Sequence, residues 1–192
     1  MDTIKFLKID DKAIIPTKRD EDAAFDLYTI GAVYEPHDHP EVEDVLISII
    51  DDEVIIRPGE TVKFLTGLKA VIPSDVWVLL KERSSTAKTG LSIRSGVIDS
   101  GYRGEWAIMM TNCGRRSIHI SRDYHDKPEI REEGRKDEYG YIDYWLMSFD
   151  KAIAQAVVMP KLNVGCGEIS QAEFNAAPKT IRGDSGWGAS GK

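Results

Sequence analysis

Short apolar runs, punctuated by Gly and Pro, constrain this chain more than any other feature. Val54-Ile55-Ile56 runs into the turn signal Arg57-Pro58-Gly59-Glu60. Residues 61–65 alternate apolar with polar or small, the period of a strand with one buried face. Residues 67–73 and 76–80 predict two more strands around the turn Pro73-Ser74-Asp75. Leu91-Ser92-Ile93, Val97-Ile98, 106–111 and 152–159 continue the series, and 45–50 is a further run of strand length. Strands recurring about every ten residues predict an all-β sandwich or barrel. Only 84–88 has helical character, as one or two turns capped by Ser84 or Ser85.

A length of 192 residues suits one domain with one core. No run approaches the roughly eighteen apolar residues of a membrane-spanning helix, so no membrane partner is expected. Residues 1–12 are charged and lack a signal-like apolar stretch, which predicts no secretion. Cys113 and Cys166 share no CxxC spacing, which excludes a disulfide scaffold and predicts a reducing, cytoplasmic setting. A net charge of −7 excludes sequence-blind coating of nucleic acid. A small anion needs only a local cluster of cations and N–H groups.

Three stretches differ in composition. Residues 34–44 are acidic with two prolines and predict a loop, where His37-Asp38-His39 reads as loop before metal ligand. Residues 121–144 carry 13 charges in 24 positions, interleaved with Tyr124, Tyr139, Tyr141 and Tyr144. That pattern predicts a solvated excursion or, more sharply, a surface that recognises another protein. Residues 182–192 hold four glycines in eleven positions, which predicts a tail that orders only against a ligand or neighbour.

Five segments carry chemistry. Gly186-Trp187-Gly188-Ala189-Ser190-Gly191-Lys192 spells the start of a phosphate-binding P-loop, but no Ser or Thr and no helix follows. Its glycines, with Arg182 and Ser190, still suit a phosphate held by backbone N–H groups. Arg83-Ser84-Ser85-Thr86-Ala87-Lys88-Thr89-Gly90 is a polar loop or an anion site. In Gly96-Val97-Ile98-Asp99-Ser100-Gly101-Tyr102-Arg103-Gly104-Glu105, two apolar residues enter a tight hairpin turn. There Asp99 is a turn former or a general base, and Tyr102 a core aromatic or a platform for a sugar or base. Asp26 stands among apolar residues in Ala23-Ala24-Phe25-Asp26-Leu27, as an edge-strand acid or a buried one that needs a partner. Asp150-Lys151-Ala152-Ile153-Ala154-Gln155 leads a charged turn into a strand that carries a polar Gln.

In this order the five segments resemble the five motifs of the trimeric deoxyuridine triphosphatase (dUTPase) family. The most specific is 96–105, followed by 182–191. The resemblance implies a jelly-roll-like β domain over 1–192, in a homotrimer with an exchanged C-terminal segment. It implies Mg²⁺-dependent hydrolysis of dUTP to dUMP and pyrophosphate. Asp99 would orient and deprotonate the water attacking the α-phosphorus, with Asp26 supporting through water or metal. Mg²⁺ would be held mainly by substrate phosphates and water. Tyr102 would pack on the deoxyribose, and the backbone of Gly96 and Ile98 would read uracil. Arg83, Ser84, Ser85 and Gln155 would hold phosphates. Arg182, Gly186, Gly188 and Ser190 would close over them, with Trp187 stacked on the base.

Departures from the family pattern are Trp187 where Phe is usual, Ser85 where Gly is common, and long spacings. Asp26 to Arg83 spans 57 positions and Glu105 to Asp150 spans 45. The excess predicts insertions near 34–53 and 114–146, the second a site for a protein partner in a phage or bacterial protein. The Arg83-Ser84-Ser85 triplet also resembles the related dCTP deaminases, the alternative enzyme. A regulatory protein-binding module is the non-enzymatic alternative.

Overall fold

The computed structural model describes residues 3–34, 52–137, 140–181 and 183, with side chains left undescribed over 132–142. Residues 45–50, the His37-Asp38-His39 loop and most of the Gly-rich tail lie outside the described residues. Among the described residues, thirteen strands and two short helices form two compact units, Met1–Lys161 and Leu162–Lys192.

All thirteen strands lie in the first unit, in three sheets. The first holds β1 (Lys5–Lys8), β3 (Gly31–Tyr34), β5 (Thr61–Val71), β7 (Leu91–Ile93) and β9 (Glu105–Asn112). The second orders β11 (Glu129–Asp137), β12 (Gly140–Ser148), β10 (Ser117–Ser121) and β4 (Glu53–Ile56). The third orders β2 (Ala24–Leu27), β13 (Ala154–Pro160), β6 (Val76–Glu82) and β8 (Val97–Ile98). The sheets share one core, to which β5 and β9 contribute Phe64, Trp106 and Ile108. Ile118 and Ile120 enter it from the second sheet, and Val78, Leu80 and Ala154 from the third. The alternation that reads as a half-buried strand holds: in β5, Val62 and Phe64 are buried while Lys63 between them is not.

The all-β architecture is the one expected, and of sandwich and barrel it takes the sandwich: among the described residues none of the three sheets closes on itself. Local expectations need correction. The two strands expected over 61–65 and 67–73 are one strand, β5. Gly67, at φ +66°, absorbs a register shift between Leu65 and Lys69, so the glycine is a bulge within the strand. The described residues hold two helices instead of one: α1 (Ser84–Thr89) and α2 (Gln171–Ala176). The N-cap of α1 is Arg83, with no side-chain cap, so neither Ser84 nor Ser85 performs that role. The excursion over 121–144 is largely paired backbone, β11 against β12, with β12 running parallel to β10.

Candidate functional site

The third sheet separates the chemistry-bearing segments. β2 and β8 are its outer strands, and β13 and β6 lie between them. Asp26 therefore sits on one edge strand, and Ile98 leads into Asp99 from the other.

On the β2 side, Asp26 faces Gln155 across the antiparallel pair β2–β13. Arg83 reaches Asp26 with Nε at 2.9 Å from Oδ1, and it donates from a terminal nitrogen to the Ala152 carbonyl at 3.3 Å. The Arg83 carbonyl accepts the Ala87 N–H that starts α1, so the backbone opens the helix while the side chain crosses to β2. Thr86 Oγ1 donates to the Ile153 carbonyl, tying α1 to the residue before β13. Gln155 Nε2 donates to the Glu82 carbonyl at 2.8 Å. Asp26, Arg83, Ser84, Ser85 and Gln155 together line a polar cleft of about 1000 Å³. Asp26 is an edge-strand acid with a partner; its side chain is 36% exposed, and that of Arg83 33%.

The opposite wall of this cleft was not foreseen. It is the segment from Thr17 to Asp22, fixed by an isolated bridge from Thr17 to Asp26. There Arg19 makes a two-pronged pair with Asp22, and Lys18 lies 5.7 Å from the Phe25 ring centre. The Arg19 guanidinium holds the Asp22 carboxyl below its usual range. No periodicity marks this wall, because loop geometry assembles it.

On the β8 side, a second cavity of about 260 Å³ is lined by Ile98, Asp99 and Tyr102, with Leu80, Lys63 and Trp106. The Tyr102 N–H donates to the Asp99 carbonyl at 3.0 Å, which closes the tight turn. The expected hairpin is only half present: β8 pairs with β6, whereas β9 beyond the turn pairs with β5 and β7 in another sheet. The turn thus passes the chain from one sheet to another and leaves Asp99 exposed at the crossing. The Gly96 carbonyl accepts the Leu80 N–H at 2.6 Å, and a Cβ on Gly96 would stand 2.9 Å from the Leu80 carbonyl oxygen. Tyr102 folds back over Gly104, donating to the Glu105 carbonyl, and a Cβ on Gly104 would collide with its ring.

Glu82, at the end of β6, immediately precedes Arg83. Its carboxylate accepts the Ile93 N–H at 2.7 Å and pairs with Lys81 at 2.9 Å. Burial opposes ionisation, but the Ile93 N–H and Lys81 outweigh it and hold the carboxyl at about 2. The native state is therefore favoured by about 3 kcal/mol above the ordinary value near 4.5, and that contribution disappears as pH falls from there toward 2. Urea melts of the native protein and of Glu82→Gln should differ at pH 6 and converge near pH 2. A pH-independent difference between the two would refute this.

Of the predicted residues, the structure gathers Asp26, Arg83, Ser84, Ser85 and Gln155 in one cleft, and Ile98, Asp99 and Tyr102 in another. Gly96 flanks the second. Arg182, Gly186, Trp187, Gly188 and Ser190 lie outside the described residues. Fold and site define an all-β domain with two cavities: a polar cleft lined by cations and carboxylates in equal number, and a pocket with an exposed carboxylate at a turn.

A sequence profile of dCTP deaminase-like proteins matches residues 13–124, more than half of the chain. The chain belongs to that family. It is 28% identical over 188 residues to the deoxyuridine 5'-triphosphate nucleotidohydrolase of Clostridium novyi, covering 96% of this chain and 95% of that one. The dUTPase of Staphylococcus bacteriophage 80alpha, solved with dUPNHPP, superposes with a TM-score of 0.66 at 21% identity over all of both chains. The dUTPase of phage phi11 of S. aureus, described with a structural Mg(II) ion, superposes at 0.59. It is 21% identical and covers 88% of this chain and 98% of its own.

Proposed function

We propose that this protein hydrolyses dUTP to dUMP and pyrophosphate, as a homotrimer whose sites form between subunits. One observation carries the proposal: two half-sites with complementary chemistry lie on opposite edges of one sheet. Asp99 of one subunit would act on phosphates held by Arg83, Ser84, Ser85 and Gln155 of another. Phosphoanhydride hydrolysis needs positioning and charge neutralisation more than covalent chemistry. Asp99 orients the attacking water and takes its proton. Tyr102, braced on Glu105, packs on the deoxyribose and leaves no room for a 2′-hydroxyl. The backbone of Gly96 and Ile98 reads uracil. The tail then closes, with Trp187 on the base, Arg182 and Ser190 on the terminal phosphate, and Gly186 and Gly188 allowing close approach.

Mg²⁺ fits the donor set only loosely. Asp26 is the carboxylate paired with Arg83, and one of its oxygens is held by that arginine, which suits contact through a metal-bound water. When bound, the ion neutralises phosphate charge. Two features support a trimer with exchanged C-terminal segments. In the first unit, Ile4, Phe6, Phe25, Val78 and Val158 line an apolar groove of about 580 Å³. In the second unit, Leu162, Val164 and Phe174 are 78%, 77% and 66% exposed, and α2 buries nothing. A unit so small with no core of its own calls for a partner surface. The exposed free thiols of Cys113 and Cys166 support a cytoplasmic setting.

The deciding experiment offers dUTP, dCTP, dTTP and UTP with Mg²⁺ and reads pyrophosphate and ammonia. Pyrophosphate from dUTP alone is expected; ammonia from dCTP would install the deaminase instead. The insertion near 114–146 is proposed to bind a protein partner, because β11 is an edge strand of its sheet. The insertion near 34–53 carries no assignment.

A further inference from the structure

A third cavity lies on the other side of Arg83, and no residue in its lining is a carboxylate. It measures about 440 Å³ and is bordered by Arg83, Lys88, Lys127 and Lys151. Among the described residues, the three lysines form no ion pair with any carboxylate. Asp126 adjoins Lys127 and Asp150 adjoins Lys151 in sequence, but neither lines the cavity, and Asp150 is engaged by His125 at 2.5 Å. Lys88 is spread over the Trp145 ring at 5.7 Å, which positions it without neutralising it.

The floor supplies a second observation. Ser148 is only 4% exposed and lines the cavity. Its hydroxyl oxygen accepts the Asp150 N–H at 3.0 Å, and no acceptor for its own proton exists among the described residues. A buried O–H donor without an acceptor is costly unless something else receives it. Four cations and one free donor, around a pocket closed by Met147 and Ala152, form a site for an anion bearing several charges.

We propose that this cavity is a second anion site, adjoining the substrate cleft and sharing Arg83 and Ser85 with it, that takes an oligophosphate group. With Arg83 paired to Asp26, the three lysines still exceed the charge of one phosphate, so pyrophosphate or a nucleotide's polyphosphate suits the cavity better than inorganic phosphate. Lys127 comes from the segment before β11, so the insertion supplies part of the site. Arg83 and Ser85 line both cavities, so an occupant would be felt in the substrate cleft through these two side chains.

The test is calorimetric titration of the whole chain with pyrophosphate, inorganic phosphate and dUPNHPP. Lys127→Ala/Lys151→Ala and Ser148→Ala probe the cavity. Lys5→Ala/Lys8→Ala, on the exposed strand β1, removes the same charge elsewhere. Pyrophosphate should bind the native protein more tightly than inorganic phosphate. The cavity double variant should weaken pyrophosphate binding roughly tenfold or more. Ser148→Ala should weaken it less, and the β1 variant should bind like the native protein. Thermal melts should show the lysine variants folded, since each lysine is exposed, and the same melt checks the buried Ser148→Ala. Undiminished pyrophosphate binding in the cavity variant, or equal loss in the β1 variant, overturns the site. Equal loss of dUPNHPP and pyrophosphate would assign the lysines to the substrate cleft and also overturns it. Failure of the native protein to bind dUPNHPP would count against dUTP hydrolysis and leave the pyrophosphate comparison intact.

Discussion

Asp99→Asn should abolish pyrophosphate release from dUTP, by about a thousandfold or more, while the assembly and its melting temperature persist. Asn keeps the shape of Asp and its power to shape a turn, but it cannot take a proton. In the native chain the turn is closed by the Asp99 backbone carbonyl, which the substitution retains. The side chain is exposed, so no core contact is lost. A turnover rate unchanged in Asp99→Asn would remove the base assignment, whatever the fate of the substrate assignment. Steady-state kinetics with sedimentation of the same sample separate chemistry from assembly.

Arg83→Ala should lower kcat/KM by about a hundredfold to a thousandfold, with little effect on stability. The ion pair with Asp26 is about one-third exposed on both sides, and exposed pairs contribute less than about 1 kcal/mol. What disappears is a cation fixed in place by α1 and aimed at the cleft. Arg83→Lys should recover only part of the loss, since Lys cannot present the planar fork that meets phosphate oxygens two at a time. If Arg83→Ala instead unfolded the protein with activity per folded molecule unchanged, the residue would be structural. A guanidinium-chloride melt beside the kinetics distinguishes the two.

Much of the fold could be read from the chain because burial writes a period into it. Thr61–Val71, Val76–Glu82 and Glu105–Asn112 each alternate buried and less buried residues, and each appears close to its expected place. Ser117–Ser121 shows the same alternation and was missed, because His119 interrupts a short apolar pair. α2 was missed although Ser170 and Glu173 form a capping box, a signal visible as S-x-x-E. Ser121 to Tyr144 misled by composition: its charges suggested solvated loop, whereas backbone pairing between β11 and β12 needs no apolar alternation. Sheet membership was beyond local reading. Nothing in Val97-Ile98 announces that its partner is β6, since that choice is made by residues distant in sequence.

The site divides along the same line. Arg83, Ser84, Ser85 and Gln155 were named from local chemistry, and the fold gathers them with Asp26. The cleft wall from Thr17 to Asp22, and the clamp by which Glu82 holds Ile93, depend on tertiary approach and left no local mark.

Asp26 faces Gln155 in the β2–β13 pair, 129 positions apart along the chain. On a ribosome, β2 would emerge long before the strand that completes it. Until β13 arrives, β2 has an open flank with neither Gln155 nor the ordered approach of Arg83. Contacts of such long sequence separation form late and slow folding. If the cleft holds phosphate as proposed, its affinity should appear only in the last steps of folding, and truncated chains that lack β13 should show no nucleotide binding by calorimetry.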